Sequence, residues 1–135
     1  MQEIILGFGS LKLLEAIKVK PDIFHLNEGH SAFLIIERLN KLINKEKHSF
    51  EEAYALIKNT TVFTTHTPVE AGNENYPVDM IKKYLEGAVK SLGLSFDQFV
   101  KYGLHHDTST FWLPVFAIRN VEDPFLQHTG NRLLP

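Results

Sequence analysis

Apolar residues recur at helical spacing along most of the chain, and two short apolar runs lie between the helical stretches. The helical stretches cover residues 2–19, 30–44, 49–58 and 77–93, with a short last one after Ser95. Two of these helices begin with a capping box, Ser49-Phe-Glu-Glu52 and Ser95-Phe-Asp-Gln98. Gly7 and Gly9 weaken the first helix without cancelling it.

The two short runs between the helices predict β-strands. Asp22-Ile-Phe-His-Leu26 is bounded by Pro21 and the Asn27-Glu-Gly29 turn, so a buried strand is expected. Thr61-Val-Phe-Thr-Thr-His66 is β-branched and aromatic, and a loop follows it up to Tyr76. Strands that alternate with helices predict the α/β class, with a partial doubly wound parallel sheet and crossover helices. Two strands are too few for a complete sheet of that kind.

The pattern changes after Gly103. A strand is conceivable from Trp112 to Ile118, although Pro114 would restrict it to a sheet edge. We therefore divide the chain into an α/β unit, residues 1–103, and an atypical tail, residues 104–135. The departure of the tail from the pattern is what a frameshifted end or a disordered segment would produce.

Composition and charge narrow the classes of function. The chain is 44% hydrophobic and 22% charged, and its net charge of −2 is mixed along the sequence, so it offers no basic face to nucleic acid. With no cysteine, disulfides, thiolate metal sites and thiol nucleophiles are excluded. No apolar run is long enough to span a bilayer, and the early Glu3 is atypical of a secretory signal. A cytoplasmic protein is expected.

Polar residues follow both predicted strands. They are His25, Asn27, Glu28, Gly29 and His30 around the end of the first strand, and His66, Thr67 and Pro68 at the end of the second. In open parallel sheets, ligands bind at the carboxyl ends of the strands. A helix beginning near His30 would also point free N–H groups at this edge, which favours a phosphate or a sugar hydroxyl.

Not all of these residues need a functional explanation. His25 alone is best explained as a core histidine, whereas Glu28, His30 and His66 together favour a binding site. A metal site is the main rival, because the His105-His106 pair and Asp107 could add ligands. The spacing argues against metal, since no HExxH motif is present. A serine hydrolase is weaker still, because no GxSxG motif exists.

Two segments resemble a known family. Pro21-Asp-Ile-Phe-His-Leu-Asn-Glu-Gly-His-Ser-Ala-Phe33 and Val62-Phe-Thr-Thr-His-Thr-Pro-Val-Glu-Ala-Gly72 resemble the α-glucan (glycogen, starch and maltodextrin) phosphorylases of bacteria and archaea. The resemblance extends over about residues 2–103, and implies that residues 1–103 are part of the N-terminal lobe of a two-lobed glycosyltransferase-type fold. Glycogen synthases share a looser version of the pattern. A fragment of such a glycosyltransferase, or a non-catalytic carbohydrate- or phosphate-binding module, is the alternative.

The resemblance also implies an activity and roles for individual residues. Phosphorylases of this family cleave α-1,4-glucans with phosphate, release glucose 1-phosphate and use pyridoxal phosphate. His66 resembles the catalytic-site histidine that contacts the glucosyl unit. His30 and Thr67 resemble residues that line the same pocket. Glu28 stands where many relatives carry an aspartate that supports the pocket.

Two departures from the family limit what this chain is expected to do. Glu70 stands where this branch usually has proline. No lysine lies in a segment resembling that of the cofactor lysine, and the phosphate-binding residues of the C-terminal lobe are absent. Pyridoxal phosphate is therefore not expected to bind this chain, which should be inactive alone. Glucan and phosphate are partners of the full-length enzyme, no nucleic acid or membrane is expected to bind, and surface made for burial predicts self-association.

Overall fold

The predicted helices and both predicted strands form in the computed structural model, which describes residues 2–66 and 73–121. In chain order the elements are α1 (Gln2–Ala16), β1 (Phe24–Asn27), α2 (Leu34–Asn40), α3 (Phe50–Asn59), β2 (Thr61–Thr64), β3 (Asn75–Pro77), α4 (Val78–Ser91), α5 (Phe96–Val100), β4 (Thr110–Trp112) and α6 (Leu113–Arg119). A 3₁₀ turn at Gly29–Ser31 precedes α2, and a π-helical turn at Lys41–Lys45 extends it.

β1 and β2 pair in parallel, with Phe24 opposite Thr61 and Asn27 opposite Thr64. The chain between these strands crosses over through α2 and α3, because parallel neighbours cannot be joined by a tight turn. The α/β class and the parallel pairing are thus confirmed. Among the described residues this sheet has two strands, and the larger doubly wound sheet stays a prediction.

The two faces of this parallel pair differ sharply. Leu26 and Phe63 point into the hydrophobic core and are almost fully buried, as the alternation of side chains along a strand requires. His25 lies on the opposite face and is exposed, with its Nε2 hydrogen-bonded to Thr64 Oγ1 at 2.8 Å. The expectation that His25 is a core residue is therefore wrong. The first strand is buried on one face only.

The start of the first internal helix also differs from the expectation. His30 lies in the 3₁₀ turn, and α2 begins at Leu34, after Phe33 as a helix cap without a side-chain hydrogen bond. No α-helix N-terminus therefore begins at His30. In contrast, both capping boxes are confirmed: Ser49 and Ser95 each accept a hydrogen bond from the backbone N–H three residues ahead.

The described part of the tail belongs to the same core. Trp112 ends β4, which pairs antiparallel with β3, and the residues after it form α6. The strand considered for Trp112–Ile118 is therefore wrong. Pro114 stands in the first turn of α6, where proline is tolerated because that turn's N–H groups have no helical partner.

Aromatic packing shows how closely the tail is integrated. Phe111 and Phe116 from the tail are buried, and each lies within 6.4 Å of the Phe33 ring, measured between ring centroids. A Cβ on Gly103 would lie 2.4 Å from the Phe111 ring, so a residue without a side chain is needed there. Residues from 104–121 thus contribute to the same core. Residues 122–135 lie outside the described residues. The domain boundary at residue 103 stays a prediction.

No helix in residues 2–66 or 73–121 has the length and apolar character needed to cross a membrane.

α1 approaches the segment behind the 3₁₀ turn so closely that a glycine is required at one position. A Cβ on Gly7 would lie 2.7 Å from Leu34 N and 2.8 Å from the carbonyl carbon of Phe33, both backbone atoms. Gly9, two residues further along α1, has nothing within 4 Å of the same position. Gly7 therefore sets the distance between α1 and the start of α2.

We expect Gly7→Ala to lower the free energy of unfolding by about 1–3 kcal/mol, because the added methyl group must displace backbone. Gly9→Ala is the matched control, and it should raise the free energy of unfolding by about 0.5–1 kcal/mol through helix propensity alone. Urea unfolding followed by circular dichroism measures both. Equal effects of the two substitutions would show that α1 does not pack on α2 at Gly7.

Candidate functional site

The carboxylate of Glu28 joins the carboxyl ends of the two parallel strands. Its Oε1 accepts the backbone N–H of His66 at 2.5 Å, and its Oε2 accepts the Thr65 hydroxyl at 2.9 Å. The Glu28 backbone N–H also donates to the Thr64 carbonyl at 2.8 Å, which continues the ladder of the strand pair. We call this set of contacts among Glu28, Thr65 and His66 the Glu28 bridge. These contacts fix the backbone where the chain leaves β2, and therefore the position of His66.

The backbone of Glu28 adopts a conformation that side chains disfavour. Its φ is 60° and its ψ is −178°, a region occupied almost entirely by glycine. Holding a residue with a side chain there costs about 1–3 kcal/mol, which the surrounding contacts must offset. Such strain is concentrated at binding and catalytic sites, where side-chain direction outweighs backbone preference. Here it turns the Glu28 carboxylate toward the end of β2.

A second carboxylate holds His30. The Nδ1 of His30 lies 2.8 Å from Glu74 Oε1, and the Glu74 side chain is 19% exposed against 55% for His30. The acid is therefore recessed, and the imidazole lies on the surface above it. Sequence reasoning missed Glu74, because an acid in an asparagine-rich loop between a strand and a helix carries no periodic or motif signal.

Glu74 is itself positioned by the tail. Its backbone carbonyl accepts the N–H of Leu113, at the junction of β4 and α6. Its Oε2 lies against Gly29, where an added Cβ would come within 2.7 Å of that oxygen and within 2.9 Å of the Leu113 side chain. The 3₁₀ turn, Glu74 and the start of α6 therefore meet at one point, and glycine leaves the room for it.

The structure places three of the four predicted site residues in two separate sets of polar contacts, the Glu28 bridge and the His30–Glu74 pair. Glu28 binds the His66 backbone, and His30 follows Glu28 by two residues within the same turn. His66 is exposed. Thr67, the fourth residue, lies outside the described residues, as does Glu70. The roles of all four in sugar binding stay predictions.

The chemistry of these groups does not suit the implied cofactor. Pyridoxal phosphate is held by a lysine through a Schiff base, and carboxylate, imidazole and hydroxyl groups meet at the Glu28 bridge and at Glu74. Within residues 2–66 and 73–121, no three His, Cys, Asp or Glu side chains are grouped so that they could hold a metal ion.

A separate cavity of about 650 Å³ opens at the amino ends of the strands, beside Arg38. Arg38 is buried, lies 3.8 Å over the Phe24 ring, and donates hydrogen bonds to the hydroxyls of Thr60 and Thr61. Burial lowers the pKa of Arg38 to about 10. These contacts tie α2 to the starts of β1 and β2. The role of Arg38 is structural and lies at the end of the strands opposite to the Glu28 bridge.

The geometry defines a class of protein: a mixed α/β protein whose polar candidate site lies at the carboxyl ends of two parallel strands. The family model described as carbohydrate phosphorylase matches residues 2–102. This chain belongs to the carbohydrate phosphorylase family.

Individual relatives agree with the family match. A maltodextrin phosphorylase from Thermococcus litoralis is 40% identical over 118 residues, covering 87% of this chain and 14% of that protein. A glycogen phosphorylase from Mycobacterium tuberculosis (strain H37Rv) is 35% identical, covering 87% of this chain and 15% of that protein. A glycogen phosphorylase from Aquifex aeolicus is 34% identical over 61% of this chain and 12% of its own length. The chain thus spans at most 15% of these curated relatives.

The Glu28 bridge and the backbone strain can be separated by two substitutions at one position. Both Glu28→Ala and Glu28→Gly remove the carboxylate, so the His66 amide should exchange with solvent faster in both variants. Glycine also relieves the strained φ, so we expect Glu28→Gly to be about 1 kcal/mol more stable than Glu28→Ala. Hydrogen exchange by NMR and urea unfolding test the two effects. An unchanged His66 exchange rate would contradict the bridge, and equal stabilities would contradict the strain.

Proposed function

We propose that this chain supplies the sugar-binding wall of an α-glucan phosphorylase. In the complete enzyme, phosphate would cleave an α-1,4-glucan and release glucose 1-phosphate, with pyridoxal phosphate bound to a lysine outside this chain. Membership of the carbohydrate phosphorylase family supports this activity, and the names of the relatives point to glycogen or maltodextrin as the substrate class.

The observation that carries the proposal is the Glu28 bridge. A sugar site needs hydrogen-bonding groups whose positions are fixed before the ligand arrives, because groups that must reorganise during the reaction stabilise its transition state less. The carboxylate of Glu28 holds the His66 backbone at 2.5 Å, and the exposed His66 ring then extends from an anchored point. In this proposal His66 contacts the glucosyl unit, and His30 and Thr67 line the pocket beside it.

Several broader features belong to the same proposal. The strand pair β1–β2 would be part of a larger doubly wound sheet in the N-terminal lobe, and the enzyme would act in the cytoplasm. Self-association of this chain is also expected, because Ile5, Leu6 and Leu13 on the outer side of α1 are 66%, 47% and 61% exposed. Apolar side chains grouped in this way favour burial against another surface.

The isolated chain should not catalyse. We expect the purified 135-residue protein, mixed with pyridoxal phosphate, to show no Schiff-base absorbance band, because the described contacts of the candidate site involve no lysine. It should also release no glucose 1-phosphate from maltodextrin and phosphate. A complete phosphorylase assayed in parallel is the positive control. Activity of this chain alone would contradict the proposed division of the active site.

The role of His66 can be tested where the whole active site is present. In the Thermococcus litoralis maltodextrin phosphorylase, alanine at the position aligned with His66 should lower kcat/KM for maltodextrin about 100-fold, the usual effect of losing one positioned polar contact. Thermal stability should change little, since the ring is exposed here. Alanine at the position aligned with His48, which lies near Glu46 and Glu52 on another surface, is the control. An unaltered rate would refute the role of His66.

A further inference from the structure

Neither motif nor family pattern assigned a role to Glu74, although its carboxylate lies at the candidate site. We propose that Glu74 is a positioning residue that holds His30 in the tautomer protonated at Nδ1, so that Nε2 faces outward as a hydrogen-bond acceptor for a sugar hydroxyl. The sugar as ligand rests on the proposed function, whereas the tautomer rests on the geometry of this pair alone.

The tautomer of His30 follows from the identity of the two atoms in contact. A carboxylate has no proton to donate, so the nitrogen that lies 2.8 Å from Glu74 Oε1 must carry the hydrogen. That nitrogen is Nδ1. In the neutral ring the other nitrogen, Nε2, then has a lone pair and accepts. The His30 side chain is 55% exposed, so a ligand can reach it.

Glu74 also makes contacts with residues other than His30. Gly29 leaves room for Glu74 Oε2, and the backbone of Glu74 is tied to Leu113 at the junction of β4 and α6. The carboxylate therefore lies against the 3₁₀ turn that carries His30, on a backbone that the tail holds in place. Partners of this kind fix both the tautomer and the ring direction of functional histidines.

The tautomer decides which ligand groups His30 can receive. A neutral Nε2 acceptor pairs with a hydroxyl donor, and a sugar carries many of them. An ionised phosphate carries negative charge and mostly acceptor oxygens, so it meets the lone pair of Nε2 less favourably than a hydroxyl donor does. The strand ends suggest two ligand types, a sugar and a phosphate. A neutral His30 ring favours the sugar over the phosphate.

The test is the tautomer of His30 in the 135-residue protein, read from the two ring ¹⁵N chemical shifts by long-range ¹H–¹⁵N NMR. The spectra are recorded at increasing alkaline pH until the ring ¹⁵N shifts no longer change, so that the shifts report the tautomers alone. In the unsubstituted protein we expect the Nδ1–H form to predominate. Predominance of the Nε2–H form would overturn the proposal without any variant being needed.

Two substitutions remove the contact in different ways. Glu74→Gln should let the Nε2–H form increase until it equals or exceeds the Nδ1–H form, because an amide can either accept or donate. Gly29→Ala should do the same by displacing the carboxylate while leaving it in the chain. Glu86→Gln, which removes an exposed pairing with Lys90 on α4, is the matched control and should leave the His30 signals unchanged.

The ring signals of His25 and His48 serve as internal references and should stay in place in all variants. If His30 keeps the Nδ1–H form in both Glu74→Gln and Gly29→Ala, Glu74 does not set the tautomer and the proposal is wrong. Failure of the proposed function looks different: the tautomer would respond as expected, while alanine at the position aligned with His66 would leave maltodextrin turnover unaltered.

Discussion

The bond from the His66 backbone N–H to the Glu28 carboxylate is the contact on which the candidate site depends. A parallel strand pair of four residues each ends without any turn to join its two carboxyl ends, so the chains beyond it would be free to diverge. Glu28 prevents this by binding both Thr65 and His66. These contacts require a backbone φ of 60° at a residue with a side chain, which is an unfavourable conformation. This conformation directs the carboxylate toward the end of β2.

The packing behind the site keeps this strained turn in place. Gly7 lets α1 approach the backbone of Phe33 and Leu34, immediately after the 3₁₀ turn, and the Phe33 ring contacts Phe111 and Phe116 of the tail. The tail in turn positions Glu74 through Leu113. The 3₁₀ turn is thus held by α1 on one side and by α6 on the other. Substitutions at Gly7 or in the tail should therefore shift the positions of Glu28 and His30, although the substituted residues do not contact them.

The two carboxylates have different tasks at one edge of the sheet. Glu28 acts on backbone, setting where the chain beyond β2 begins, whereas Glu74 acts on the ring of His30. A binding site for a sugar needs both kinds of support, because hydroxyl groups are distinguished by the direction and the donor or acceptor character of their partners. This chain belongs to the carbohydrate phosphorylase family.

Local pattern in the sequence was enough for the helices, the two parallel strands, both capping boxes and the family, because periodicity, caps and motifs act over a few residues. It also predicted Glu28, His30 and His66 as neighbours at one edge. Only tertiary structure decided that His25 is exposed, that the residues after Trp112 form a helix, and that Glu74 binds His30. Each of these depends on contacts between residues far apart in the chain. Local spacing cannot predict which face of a strand will be buried or which carboxylate will contact a given histidine.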